Sequence, residues 1–166
     1  MKKQLIVIAI AFMVTSPTYA AWHSMKKHIV FSGLVGFGNY NGVSHYQATG
    51  RSTYYLTNWL GMGGEVSVIN VLGQYNNFDA GSIGGFLHAK LPFGFYAEGG
   101  LAGSAVISQG RSATPTEKSF FYAAGFNKTL GSRLALEVQY RRAPKSESTY
   151  SKYLQNGFFF GLSVKI

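Results

Sequence analysis

A period-two alternation that runs to the final residue constrains this chain more than any other feature. Phe158, Phe160, Leu162, Val164 and Ile166 form one apolar face of the C-terminal stretch. Gly157, Phe159, Gly161, Ser163 and Lys165 form a smaller and more polar face. A spacing of two belongs to a strand, because a helix would scatter these residues around its axis. A strand with hydrocarbon on one side and polar groups on the other suits a wall between lipid and lumen.

The same alternation recurs along the chain. Strands are predicted over 28–38, up to 51–56, and over 59–71, 78–91, 95–107, 118–130 and 133–141, before the C-terminal one. Leu60, Met62, Val66 and Val68 lie on one face of the third, with Gly61, Gly63, Glu65 and Ser67 on the other. Tight turns at Thr57-Asn58, Pro92-Phe93-Gly94 and Gly131-Ser132 alternate with longer polar stretches. Those stretches run Asn39–His45, Gly73–Asn77, Ser108–Glu117 and Arg142–Ser151. An even strand number with short turns at one end and long loops at the other predicts an all-β, eight-stranded antiparallel up-and-down transmembrane β-barrel. A soluble barrel would reverse the faces, with charge outside and apolar bulk inside. Here the face that carries Glu65, Glu98, Glu137 and Arg141 is the one poor in apolar bulk. Tyr54, Trp59, Phe93, Phe95, Tyr122, Tyr140 and Tyr153 fall near strand ends, where aromatic girdles sit.

The N-terminus supports export. Met1-Lys2-Lys3 is basic, Leu5 to Val14 is apolar, and Thr18-Tyr19-Ala20 ends in a small residue. This layout predicts a signal peptide over 1–20 and a barrel domain over 21–166, since the apolar run is too short to span a bilayer as a helix. Without Lys2 and Lys3 the chain keeps 13 basic and 6 acidic residues, a net charge of +7. The basic residues are scattered, and export removes nucleic acid as a partner. Charged residues are only 13% of the chain, against about 25% in soluble domains. There is no cysteine, so the fold must hold without disulfides.

Tyr96-Ala97-Glu98-Gly99-Gly100-Leu101-Ala102, Ala123-Ala124-Gly125-Phe126 with Leu130-Gly131-Ser132, and Leu134-Ala135-Leu136-Glu137-Val138-Gln139-Tyr140-Arg141 carry a family resemblance. The chain resembles the small outer-membrane β-barrels that include the OmpA transmembrane domain, OmpX-type proteins and opacity-type surface antigens. The resemblance implies a multi-pass barrel in a Gram-negative outer membrane. Its implied partners are outer-membrane lipid, lipopolysaccharide and, during insertion, the barrel-assembly machinery. Gly161, Val164 and Ile166 match the spacing of the family's terminal assembly signal, although the family usually ends in phenylalanine.

Three chemistries are open to such a chain. Glu65, Glu98, Glu137, Arg51, Lys90 and Arg141 face inward and are expected to pair, because an isolated buried charge costs several kcal/mol. The resemblance implies such a network too. It would plug the lumen, with a small gated pore as the alternative reading. An enzyme that modifies lipid A would need a histidine base near the outer leaflet, and His45, placed in an external loop with Asp79 and Ser82 across from it, is the one candidate. No local motif surrounds it, and no catalytic residue is assigned. The long loops carry Arg111, Lys118, Arg142, Lys145 and Lys152, which suit anionic partners such as lipopolysaccharide or a host surface ligand. No metal site or cofactor motif is present in the sequence. The expected role is therefore structural or surface-interacting rather than enzymatic.

Overall fold

The computed structural model describes residues 28–40, 43–72, 77–106, 117–143 and 156–166. The expected signal peptide, Arg111, Lys145, Lys152 and Tyr153 lie outside them. The strands are β1 (His28–Tyr40), β2 (Val43–Tyr55), β3 (Leu60–Leu72), β4 (Asn77–Lys90), β5 (Phe95–Val106), β6 (Glu117–Thr129), β7 (Leu134–Arg142) and β8 (Gly157–Lys165). Each pairs antiparallel with its sequence neighbour, and β8 returns to β1 to close the barrel. The closing register runs from Val30↔Lys165 to Phe37↔Phe158. The Ile166 N–H donates to the Ile29 carbonyl at 2.9 Å and extends the seam by one more bond. Closure leaves no edge strand, which is what a β-structure in lipid requires.

The side-chain parity follows the sequence pattern. Val35, Ile83 and Leu101 are 65%, 68% and 65% exposed in the isolated chain, so their apolar side chains stand on the outer wall. Their neighbours Leu34, Ser82 and Ala102 are buried inside. The outer wall therefore presents hydrocarbon to its surroundings, while the interior holds almost all the buried polar groups. Trp59, Phe93 and Phe95 stand on the outside at one end, and Tyr46, Tyr122 and Tyr140 stand outside toward the other. Tyr140 packs against Phe158 with ring centroids 4.9 Å apart.

Three short turns at 56–59, 91–94 and 130–133 share one end with the start of β1 and the end of β8. In each, the residue after the strand donates to the first carbonyl of the next: Leu56 to Leu60, Leu91 to Phe95 and Leu130 to Leu134. Thr57 Oγ1 accepts the Leu60 N–H at 2.9 Å and fixes the first turn from within. In the second, Phe93 (φ 62°) and Gly94 (φ 86°) are both left-handed. An added Cβ at Gly94 would also press on the Asn127 carbonyl.

The first long connection departs from expectation. Asn39–His45 reads as a loop in sequence, yet β1 runs to Tyr40 and β2 starts at Val43. Asn39 pairs with Ser44 and Tyr40 with Val43, so the ladder continues through polar residues above the apolar band. Asn39 Nδ2 donates to Ser44 Oγ at 3.3 Å across the hairpin. Turn-forming composition loses here to cross-strand pairing.

Candidate functional site

The candidate site is the middle of the lumen, where Arg51 and Arg141 meet three carboxylates. Arg51 projects from β2, Glu65 from β3, Glu98 from β5, and Glu137 and Arg141 from β7, all at inward parity. Arg51 stands directly opposite Glu65 in the β2–β3 ladder, and His88 opposite Glu98 in β4–β5. The remaining pairs are made across the lumen and exist only because the sheet closes.

Arg51 is the hub. Its Nη2 donates to Glu98 Oε1 at 2.5 Å, its Nη1 to Glu137 Oε1 at 3.4 Å, and its Nε lies 3.6 Å from Glu65 Oε2. Arg141 takes Glu65 in a two-pronged bond, Nη1 to Oε1 at 2.5 Å and Nη2 to Oε2 at 2.8 Å. Planar, bidentate pairing of this kind is the strongest ion-pair geometry available to a carboxylate.

Three carboxylates against two guanidiniums leave acceptor capacity over, and further donors fill it. Glu98 also accepts from His88 Nδ1 at 2.7 Å and from Gln139 Nε2 at 2.6 Å. Glu137 accepts from the Tyr96 hydroxyl at 2.7 Å and from Ser163 Oγ at 2.5 Å. Gln139 Oε1 in turn accepts from Arg141 Nη2 at 3.2 Å. Ser32 passes a hydrogen bond to Ser163 at 3.1 Å, which ties β1 into the chain of contacts.

Aromatic rings close the gaps. The Arg51 guanidinium lies 4.2 Å above the Phe86 ring, and that of Arg141 lies 4.3 Å from Phe121 and 5.3 Å from Phe159. Cations over ring faces gain electrostatic attraction while excluding water. With Phe121 from β6, all eight strands contribute to this central plug. The Arg51, Arg141, Glu65 and Glu98 side chains are at most 2% exposed.

The structure brings five of the six inward charges together. Lys90 is the exception. It sits lower, near the short-turn mouth, with its Nζ 3.7 Å from the centroid of Tyr55 instead of beside a carboxylate. The loop-end cations do not gather into one patch among the described residues. Lys118 and Arg142 are both exposed and stand at outward parity, at the start of β6 and the end of β7.

His45 is not in an external loop. It lies in β2, pointing inward and 1% exposed, and its Nε2 donates to the Asn156 carbonyl at 2.8 Å. A ring held there, inside the wall, does not face the outer leaflet. Ser82 also points inward from β4. Among the described residues no group of three metal-ligating side chains converges.

Sequence reasoning did not assign Gln139, His88, Tyr96, Ser163 or the three phenylalanines to the plug. The signal was parity. Gln139 lies between Glu137 and Arg141 at steps of two, and Tyr96 lies two before Glu98.

No family model matches the sequence, and no curated protein matches it. Solved structures do share the fold. The N-terminal β-barrel domain of Pseudomonas aeruginosa OprF superposes with a TM-score of 0.58 at 11% identity, covering 86% of this chain and 100% of that one. The Yersinia pestis outer membrane protein Ail gives 0.53 at 11%, covering 85% and 100%. Neisserial surface protein A gives 0.53 at 12%, covering 84% and 94%. With eight closed strands, an apolar outer wall and these likenesses, the chain has the fold of the small eight-stranded transmembrane barrels of outer membranes.

Proposed function

We propose that the chain is an exported outer-membrane protein of the structural or surface-interaction type, with a lumen closed to ions. The observation that carries this reading is the plug, in which each buried carboxylate pairs with an arginine and every strand is tied in. Eight tilted strands enclose an interior that side chains can fill, with room for at most one small ligand. Planar-bilayer recording of the purified, refolded protein tests the closure. The expected result is a silent membrane; discrete, uniform conductance steps would overturn it in favour of a small pore. Outer-membrane fractionation with heat-modifiable gel mobility tests the location, and a soluble periplasmic pool would end it.

Surface contact falls to the long-loop end. Lys118 and Arg142 stand on the outer wall there, and Arg111, Lys145 and Lys152 lie in the adjoining connections by sequence. Lipopolysaccharide presents phosphates at that height, and Lys and Arg bind phosphate strongly. Replacing Lys118 and Arg142 together by Gln is expected to weaken co-purification with lipopolysaccharide; an unchanged ratio would remove this partner. No enzymatic role is proposed. His45 is tied into the wall, and the lipid A acyl pattern is expected to be the same with and without expression, as read by mass spectrometry.

A further inference from the structure

Below the plug, at the short-turn end, the lumen opens into a cavity of about 500 Å³. Its wall carries Lys90, Arg133, Lys165, His28 and His88, and no carboxylate. Lys90 is the inner cation, half-buried, with its Nζ over the Tyr55 ring face. Among the described residues neither Lys90, Arg133 nor Lys165 makes an ion pair. Lys165 lines the same cavity as Lys90. Like charges in a half-enclosed space are an unfavourable arrangement unless an anion joins them.

Among the described residues the acidic side chains lie elsewhere in the fold. The chain's six acidic residues are Glu65, Glu98 and Glu137 in the plug, and Asp79, Glu117 and Glu147. Asp79 and Glu117 belong to the first residues of β4 and β6, toward the long-loop end, and Glu147 lies outside the described residues. The plug carboxylates are already satisfied from within. Meanwhile the short-turn mouth offers ammonium, guanidinium, and the amide and hydroxyl groups of Asn127, Thr129 and Ser132. Several donors converging from different strands match a tetrahedral oxyanion, which has more acceptor directions than a carboxylate.

We propose that this vestibule binds a phosphate group, with Lys90 as the inner contact and Lys165 and Arg133 at the rim. The group would come either from a free phosphate-bearing anion of the periplasm or from the headgroup of a phospholipid in the adjoining leaflet. The proposal is independent of whether the plug conducts: bilayer recording tests the plug, and binding tests the vestibule.

The test is calorimetry on the refolded chain in maltoside micelles, which contain no phosphate. Inorganic phosphate is expected to bind saturably with one site per chain. Lys90→Met should weaken it about tenfold or more, the cost of removing one buried charged partner. Lys128→Gln is the control. It removes the same charge at the same end, but from a side chain on the outer wall, and should leave binding unchanged. Glycerophosphoglycerol and dihexanoyl phosphatidylglycerol separate the sources: tighter binding of the acylated compound assigns the lipid, and equal or weaker binding assigns the free anion. Heat-modifiable mobility verifies folding of each variant. Should Lys90→Met not fold, the double variant Lys165→Gln with Arg133→Gln takes its place and must weaken binding about tenfold as well. Absence of saturable phosphate binding, or binding that a folded vestibule variant retains at full strength, overturns the proposal.

Discussion

Arg51 touches all three carboxylates of the plug, so its removal has a larger consequence than that of any single partner. Arg51→Met leaves Glu98 and Glu137 buried without their cation, and a broken buried pair costs about 3–5 kcal/mol. Urea unfolding followed by gel mobility should show that loss. Glu137→Gln should cost less, about 1–3 kcal/mol, because the amide oxygen still accepts from Tyr96 and the amide nitrogen can donate to the Ser163 hydroxyl in place of the bond it gave. Equal losses for the two variants would contradict the hub assignment. At this scale the sequence showed which charges face inward but not which ones meet. Arg51 and Glu98 are 47 residues apart and not on neighbouring strands, so their contact depends on barrel diameter and stagger. Lys90 shows the limit of parity. It has the inward phase but the wrong height, and height along the axis is set by register.

Glycines separate the two faces of a strand. Gly161 of β8 points inward, where an added Cβ would run into the Gly33 carbonyl and the Leu34 side chain. Gly161→Ala is expected to cost about 1–3 kcal/mol, as overpacking does. Gly85 of β4 points outward, and its nearest neighbour to a new Cβ is the Gly63 carbonyl at 3.7 Å, an ordinary contact. Gly85→Ala should be neutral or stabilise by about 0.5–1 kcal/mol, because glycine weakens a strand interior. The pair can be read side by side by urea unfolding, and a larger loss at Gly85 would contradict the inside-outside assignment. Most strand bounds were legible because the alternation is strict, as in Leu134 to Arg141. The β1–β2 hairpin was misread because Asn39 to His45 looks like loop by composition. Its Asn41-Gly42 pair was the better signal, since Asn-Gly between strands is the strongest short-range mark of a tight hairpin.

The whole molecule is an apolar wall around a polar column, and the two sides should answer the same mutation differently. Val66 is 58% exposed on the outer wall. Val66→Arg should cost about 2–4 kcal/mol in a bilayer, as a cation at mid-depth does. Gln47→Arg, on the lumen side near the long-loop end, should cost less, since polar side chains such as Thr49 surround it in place of lipid. Folding titrations into lipid vesicles compare the two, and equal costs would argue against a lipid-facing wall. The architecture was readable because closure, parity and loop rhythm are one-dimensional patterns. Ligand chemistry was not, because the vestibule cations come from turns and strand ends far apart in sequence. The β1–β8 seam has a kinetic consequence. Ser32 and Ser163, bonded across it, are 131 residues apart. Until the last strand arrives, the first has no second neighbour, and both would offer bare N–H and C=O groups to hydrocarbon. Loop-closure entropy must be met before that seam rewards it, so spontaneous folding should be slow and concerted. A chain stopped before β8 would carry two open edges and would be prone to pair with other chains at them.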